Sequence, residues 1–158
     1  MAVEIERKFL IDPAWQPAGE GVRYRQGYLS TDPACSVRVR LAGVTGWLTI
    51  KGATVGITRE EYEYPIPAAD ADAMLDRLCR QPLIEKTRYK VELDGLLWEI
   101  DVFEGANAGL RIAEVELSDE RQRLQLPPWV RREVTDDVRY YNASLAERPY
   151  RDWADADH

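Results

Sequence analysis

Five pairs of like charges stand at alternate positions along this 158-residue chain: Glu4 and Glu6, Arg38 and Arg40, Glu61 and Glu63, Lys86 and Arg88, Glu114 and Glu116. Successive side chains of a β-strand point to opposite faces, so residues two apart share one. Each pair therefore aims two equal charges the same way, from segments otherwise rich in Val, Ile, Leu and aromatics. Such charges lie about 6.6 Å apart along the strand. At an effective dielectric of about 20 they repel by roughly 2.5 kcal/mol, falling below about 1 kcal/mol in bulk water. One such pair fits the wet face of an antiparallel sheet. Wet faces, however, commonly mix signs so that opposite charges meet across strands, whereas here acids and bases segregate by strand. Five segregated pairs predict a concave charged face that binds counter-charges.

The alternation predicts strands over 3–11, 24–29, 36–41, 47–51, 60–66, 84–93, 97–103 and 110–117, with an Asp94-Gly95 hairpin turn. Met74, Leu75 and Leu78, with Asp70 near the start, predict a helix over 69–80. A short helix capped by Ser118 is expected over 118–125, and a last one over about 137–145. About eight strands and few helices point to an antiparallel sheet or barrel, mainly β in an α+β sense. Residues 1–148 read as a single domain and 149–158 as a polar, poorly ordered tail.

Composition excludes several functions. A formal charge of −7 argues against nucleic acid as a partner, because non-specific binding needs a basic surface. No apolar run approaches the roughly 20 residues of a membrane span, and the start Met1-Ala2-Val3-Glu4 is too acidic for a signal peptide. Cys35 and Cys79 have no zinc or CxxC spacing and fit reduced thiols in the cytoplasm. The one histidine, His158, ends the chain, which leaves no His-based metal site or triad. An anionic ligand must then be held by a local cluster of bases against the overall field. Guanidinium groups bind phosphate oxygens in pairs and Lys acts as a point charge. The carboxylates suit a divalent metal with oxygen ligands. Acid, metal, phosphate and base would alternate in sign across the site.

Glu4-Ile5-Glu6-Arg7-Lys8 is an ExExK motif, and with it the chain resembles the CYTH, or triphosphate tunnel metalloenzyme, superfamily. Gln26-Gly27-Tyr28-Leu29, Val37-Arg38-Val39-Arg40, Ile50-Lys51-Gly52, Glu61-Tyr62-Glu63-Tyr64 and Glu85-Lys86-Thr87-Arg88-Tyr89 follow in the family's order. So do Trp98-Glu99-Ile100-Asp101-Val102-Phe103, Ala113-Glu114-Val115-Glu116-Leu117, Glu133-Val134-Thr135 and Arg139-Tyr140-Tyr141-Asn142. The resemblance implies an eight-stranded antiparallel β-barrel tunnel with a few flanking helices. It implies Mg²⁺ or Mn²⁺ on Glu4, Glu6, Glu114 and Glu116, with Asp101, Glu61 and Glu63 as further ligands or supporting groups. It places the triphosphate on Lys8, Arg38, Arg40, Lys51, Lys86 and Arg88, and pairs Tyr28 with Lys8 to activate water. Lys90 shares their parity and reads as solvated at the mouth. The implied activity is metal-dependent hydrolysis of a small-molecule substrate, inorganic triphosphate, to pyrophosphate and phosphate, by a monomer or homodimer without nucleic-acid or membrane partners. Class IV adenylyl cyclase, thiamine or nucleoside triphosphatase, and a non-catalytic polyphosphate sensor stay open as alternatives.

Overall fold

The computed structural model describes residues 3–154; His158 and the end of the expected tail lie outside them. Nine strands are described: β1 (Val3–Ile11), β2 (Val22–Ser30), β3 (Cys35–Ala42), β4 (Thr45–Val55), β5 (Thr58–Ile66), β6 (Ile84–Leu93), β7 (Leu96–Glu104), β8 (Arg111–Glu116) and β9 (Val130–Glu133). They hydrogen-bond in the order β5-β4-β3-β2-β6-β7-β8-β1-β9, all antiparallel, and β5 also pairs with β1. That last pairing closes β1–β8 into the expected barrel. The short β9 is an addition to it: one edge of β1 pairs with β5 at Val3–Ile5 and with β9 at Phe9 and Ile11. The β6–β7 turn has Asp94 and Gly95 both at positive φ (52° and 76°), the geometry a two-residue hairpin needs.

Small barrels are usually filled by apolar side chains; this one is reversed. Most of its apolar residues face outward and are covered from outside. Helix α1 (Ala68–Arg77) buries Ala71 and Leu75 against Val39 of β3. Gly27 permits the close approach beside it, since a Cβ there would stand 2.7 Å from both Cys79 and Leu83. A second outer cluster joins Phe9, Trp98, Ile100, Ala113 and Val115, with Trp15, Leu124 and Trp129 packed over it from the loops. A third differs: Tyr28, Ile84, Phe103 and Ile112 share the inward parity of Gln26, Lys86, Asp101 and Glu114, and with Tyr140, Leu145 and Trp153 of the C-terminal segment they form an apolar layer at one end of the barrel.

Three expectations are corrected. Residues 118–125 form a turn, not a helix: Gln122 accepts from both the Ser118 amide and hydroxyl, and Asp119 accepts from the Arg121 amide. Local side-chain bonds of this kind compete with helix formation, and Pro127 and Pro128 follow at once. The last helix is split into a 3-10 turn, Val138–Tyr140, and α2 (Asn142–Glu147), with Tyr141 extended between them. Nor are the first tail residues loose. Tyr150–Asp152 form a 3-10 turn, and Trp153 is buried with its ring 5.1 Å from Tyr140 and its indole N–H donating to the Arg148 carbonyl. Among the described residues no helix is long and apolar enough to cross a membrane. Trp153→Ala is expected to destabilise the fold by about 3–5 kcal/mol, as for other buried Trp truncations. Thermal or urea unfolding reads this, and a change below about 1 kcal/mol would show the segment to be dispensable.

Candidate active site

Turning the charged parity inward makes a cavity of about 980 Å³ through the barrel. Of the expected site residues, all but Lys86 and Asp101 line it. Strand order decides which charges meet. The acidic strands β7, β8 and β1 run side by side, β5 closes onto β1, and the basic strands β6 and β3 flank β2.

On the acidic side Glu6 stands opposite Glu116 and Lys8 opposite Glu114 in the β1–β8 register. Lys51 reaches across from β4, 2.7 Å from Glu4 and 3.3 Å from Glu61. Glu114 is shared between Lys8 (3.7 Å) and Arg88 (3.9 Å). Burial opposes its ionisation, but Lys8 and Arg88 hold its carboxyl well below the usual range. The Glu6 carboxyl has no hydrogen bond or ion pair among the described residues. Its enclosure, with Glu114 and Glu4 nearby, pushes it up to about 8. Glu116 is raised as well, by burial and then by Glu4 and Glu99. For Lys8, burial lowers the pKa, yet Glu114 and Glu6 outweigh it and the ammonium is held charged. Its Nζ also sits 5.1 Å from the centre of the Tyr141 ring.

Four hard oxygen donors on two adjacent strands, two of them (Glu6 and Glu116) without an ion pair among the described residues and reluctant to ionise, suit a divalent cation such as Mg²⁺. Among the described residues no three such side chains stand together as a finished cage. Two of the four lean away, Glu4 toward Lys51 and Glu114 toward Lys8.

The basic side carries the opposite excess. Arg38 donates from Nη2 to Thr49 (3.3 Å), whose hydroxyl donates in turn to Glu63 (2.8 Å). Arg38 Nε has no partner, and it is the sole buried side-chain nitrogen or oxygen so placed among the described residues. Arg40 donates from Nε to a neutral acceptor, Gln26 Oε1, at 2.9 Å. Burial, then Arg38 and Arg88, lower the Arg40 guanidinium to about 9. Arg88 grips Asp101 through two bonds of 2.8 and 2.9 Å and reaches Glu99 at 3.2 Å.

Lys86 stands off the cavity wall, and Asp101 takes the supporting place among the two expected of it. Both are essentially inaccessible, 2.7 Å apart, behind the wall rather than on it. Arg88 and Lys86 occupy both Asp101 oxygens, so its place is that of a brace for bases, not of a metal ligand. Lys90 and Glu99 do line the cavity, Lys90 being exposed. Tyr28 lines the cavity while its ring joins the apolar layer at one end of the barrel; no hydrogen bond links its hydroxyl to Lys8 among the described residues. Sequence reasoning missed Tyr24, Gln26 and Asn142. Parity alone puts Tyr24 and Gln26 on the face of Tyr28. Asn142 carries no such signal, because it reaches the wall from a helix 116 positions away from Gln26.

The family model described as CYTH domain matches residues 2–150. An inorganic triphosphatase of Acetivibrio thermocellus is 48% identical over 154 residues, covering 97% of this chain and 99% of the relative. Another, of Nitrosomonas europaea, is 43% identical over 150 residues, covering 90% and 96%. A crystal structure of an inorganic triphosphatase superposes with a TM-score of 0.65 at 39% identity, over 90% of this chain and 96% of that one. A Bacillus halodurans protein provisionally named an adenylate cyclase shares the fold at 15% identity and a TM-score of 0.59, over 76% and 84% of the two chains.

The position of Glu6 has a thermodynamic consequence in metal-free protein. Its pKa rises on folding from 4.5 to about 8, so between those values the folded state binds more protons than the unfolded one. Stability from this group is present below 4.5 and lost as pH rises toward 8. In chelator, Glu6→Gln is expected to raise Tm above wild type by several degrees at pH 8.5 and by little near pH 5. A pH-independent difference between the two would contradict the assignment.

Proposed function

Because this chain belongs to the CYTH domain family, we propose that it is a metal-dependent triphosphatase that hydrolyses inorganic triphosphate to pyrophosphate and phosphate in its tunnel. One observation carries the reading. Beside Arg38, whose Nε is buried without an acceptor although its Nη2 reaches Glu63 at 3.7 Å, the Arg40 guanidinium has no ion pair among the described residues and only a neutral amide as hydrogen-bond acceptor. A buried cation without a counter-charge is costly, and a polyphosphate supplies acceptors and negative charge together. Two close relatives bear the name inorganic triphosphatase, which supports the same substrate.

Phosphoryl transfer asks mainly for positioning and neutralisation of charge. Arg38, Arg40 and Arg88 hold the phosphates along the basic side, with Lys86 backing them from behind the wall. Lys51 and Lys8 stand where the basic and acidic sides meet. Glu4, Glu6, Glu114 and Glu116 would hold Mg²⁺ or Mn²⁺, which when bound neutralises phosphate oxygens and makes a water more acidic. Glu61 and Glu63 hold Lys51 and the Thr49–Arg38 contact in place. Lys8, kept protonated by Glu114 and Glu6, works as a cation on a phosphate oxygen rather than as a base. Tyr28 lines the cavity with it and can orient the water through its hydroxyl. The water oxygen bonds to a terminal phosphorus, and the bridging P–O bond breaks with its electrons leaving on pyrophosphate. The water proton ends on a product oxygen.

A substrate panel tests this directly. Tripolyphosphate with Mg²⁺ or Mn²⁺ is expected to yield pyrophosphate and phosphate in equal amounts, with no release in chelator. ATP and thiamine triphosphate are expected to be poorer substrates. Arg40→Ala is expected to lower kcat/KM by about a hundredfold, as for loss of one charge-stabilising donor. Cyclic AMP from ATP would assign a cyclase, and tight tripolyphosphate binding without turnover under either metal would assign a sensor.

A further inference from the structure

Between the two basic strands β3 and β6 lies β2, whose inward residues are uncharged: Tyr24, Gln26 and Tyr28. Gln26 is opposite Arg40 on one side and Tyr24 opposite Lys86 on the other. The Tyr24 ring has the guanidinium of Arg40 at 4.8 Å and that of Arg88 at 4.9 Å, two cations held by one neutral ring. From Arg40 a single run of contacts crosses to Arg88. Arg40 Nε donates to Gln26 Oε1 (2.9 Å), and Gln26 Nε2 donates to Asn142 Oδ1 (3.0 Å). Lys86 Nζ donates to the same Asn142 oxygen (3.2 Å) and is 2.7 Å from Asp101, which Arg88 grips. Arg and Lys only donate, so both ends of the run fix the direction of both amides. The oxygen of Gln26 must face Arg40, and that of Asn142 must face Lys86.

The chemistry of these acceptors is telling. On the acidic side every base is met by a carboxylate, and the charges cancel. Lys86 is paired with Asp101, but Arg40 is met by an amide, which fixes the cation in place and leaves its charge intact for a ligand. Gln26 is fully buried and absent from the cavity lining, so it acts only through Arg40. Asn142 opens α2 and ties that helix to the anion-binding wall.

Resting on the triphosphatase reading, we infer that Gln26 and Asn142 are positioning residues whose neutrality sets the tunnel's affinity for triphosphate. Gln26 orients Arg40, and Asn142 holds Gln26 from α2, without cancelling the positive charge that the substrate must meet.

Asn142→Asp isolates the claim, because an aspartate at this position can keep both accepted hydrogen bonds and adds only charge. Calorimetric titration of metal-free protein with inorganic tripolyphosphate is expected to show affinity at least fivefold weaker than wild type. In turnover KM should rise by a similar factor with kcat within about threefold and Tm not lowered. Gln26→Met, which removes the acceptor of Arg40 without touching the cavity, should likewise raise KM more than it lowers kcat. Affinity of Asn142→Asp within twofold of wild type would overturn the inference, as would a Gln26→Met variant that loses Tm while keeping KM. Wild-type protein that binds no tripolyphosphate would instead overturn the triphosphatase reading itself, so the two failures are distinguishable.

Discussion

Everything in this structure follows from putting like charges on the inside of a closed sheet. A barrel that fills its lumen with Val and Leu is held together from within. Here most of the lumen holds carboxylates, guanidiniums and ammonium groups, so cohesion comes from outside and from the apolar layer at one end. Helix α1 covers Val39, loop residues Trp15 and Trp129 cover the Phe9–Trp98 cluster, and the segment through Trp153 covers Ile84 and Phe103. The helices and loops are thus the missing halves of the apolar layers, and they leave the interior free for charge.

Interior charge is kept tolerable by strand order. Acids on β1, β7 and β8 are neighbours, but Lys8 and Lys51 are set among carboxylates, and Arg88 is braced by Asp101. What stays unbalanced is informative. The Glu6 carboxyl on one side and Arg40 on the other have no ion pair among the described residues, and beside Arg40 the buried Arg38 Nε has no acceptor although its guanidinium reaches Glu63 at 3.7 Å. The first suits a divalent cation and the second a polyanion. A metal–triphosphate complex offers both in one ligand. The same unbalanced charge would weaken the empty protein, an example of stability given up at a functional site.

Period-two parity is why so much was legible in the sequence. It fixed the inward face of β1, β3, β5, β6 and β8 residue by residue, and the closure of the barrel followed from the family resemblance. Parity does not give depth, however. Lys86 and Asp101 share the inward face with Arg88 and Glu99 yet are buried behind it, because they sit toward the end of the barrel that Phe103 and α2 cover. The 118–125 segment was misread because its helix-like composition ignores the Asp119 and Gln122 side chains that capture the backbone first. The tail was misread because charge outnumbers Trp153, while a single buried indole decides the packing. Asn142 lay beyond any local pattern, since its role exists only after the chain returns to Gln26.

The central claim is that Arg38 and Arg40 of the basic wall are the binding site for a triphosphate. A crystal structure of metal-free protein with inorganic triphosphate tests it most directly. The expected result places phosphate oxygens inside the tunnel, about 3 Å from Arg38 Nε and from the terminal nitrogens of Arg40. Triphosphate bound outside the tunnel, with Arg38 Nε still lacking an anionic acceptor, would contradict it.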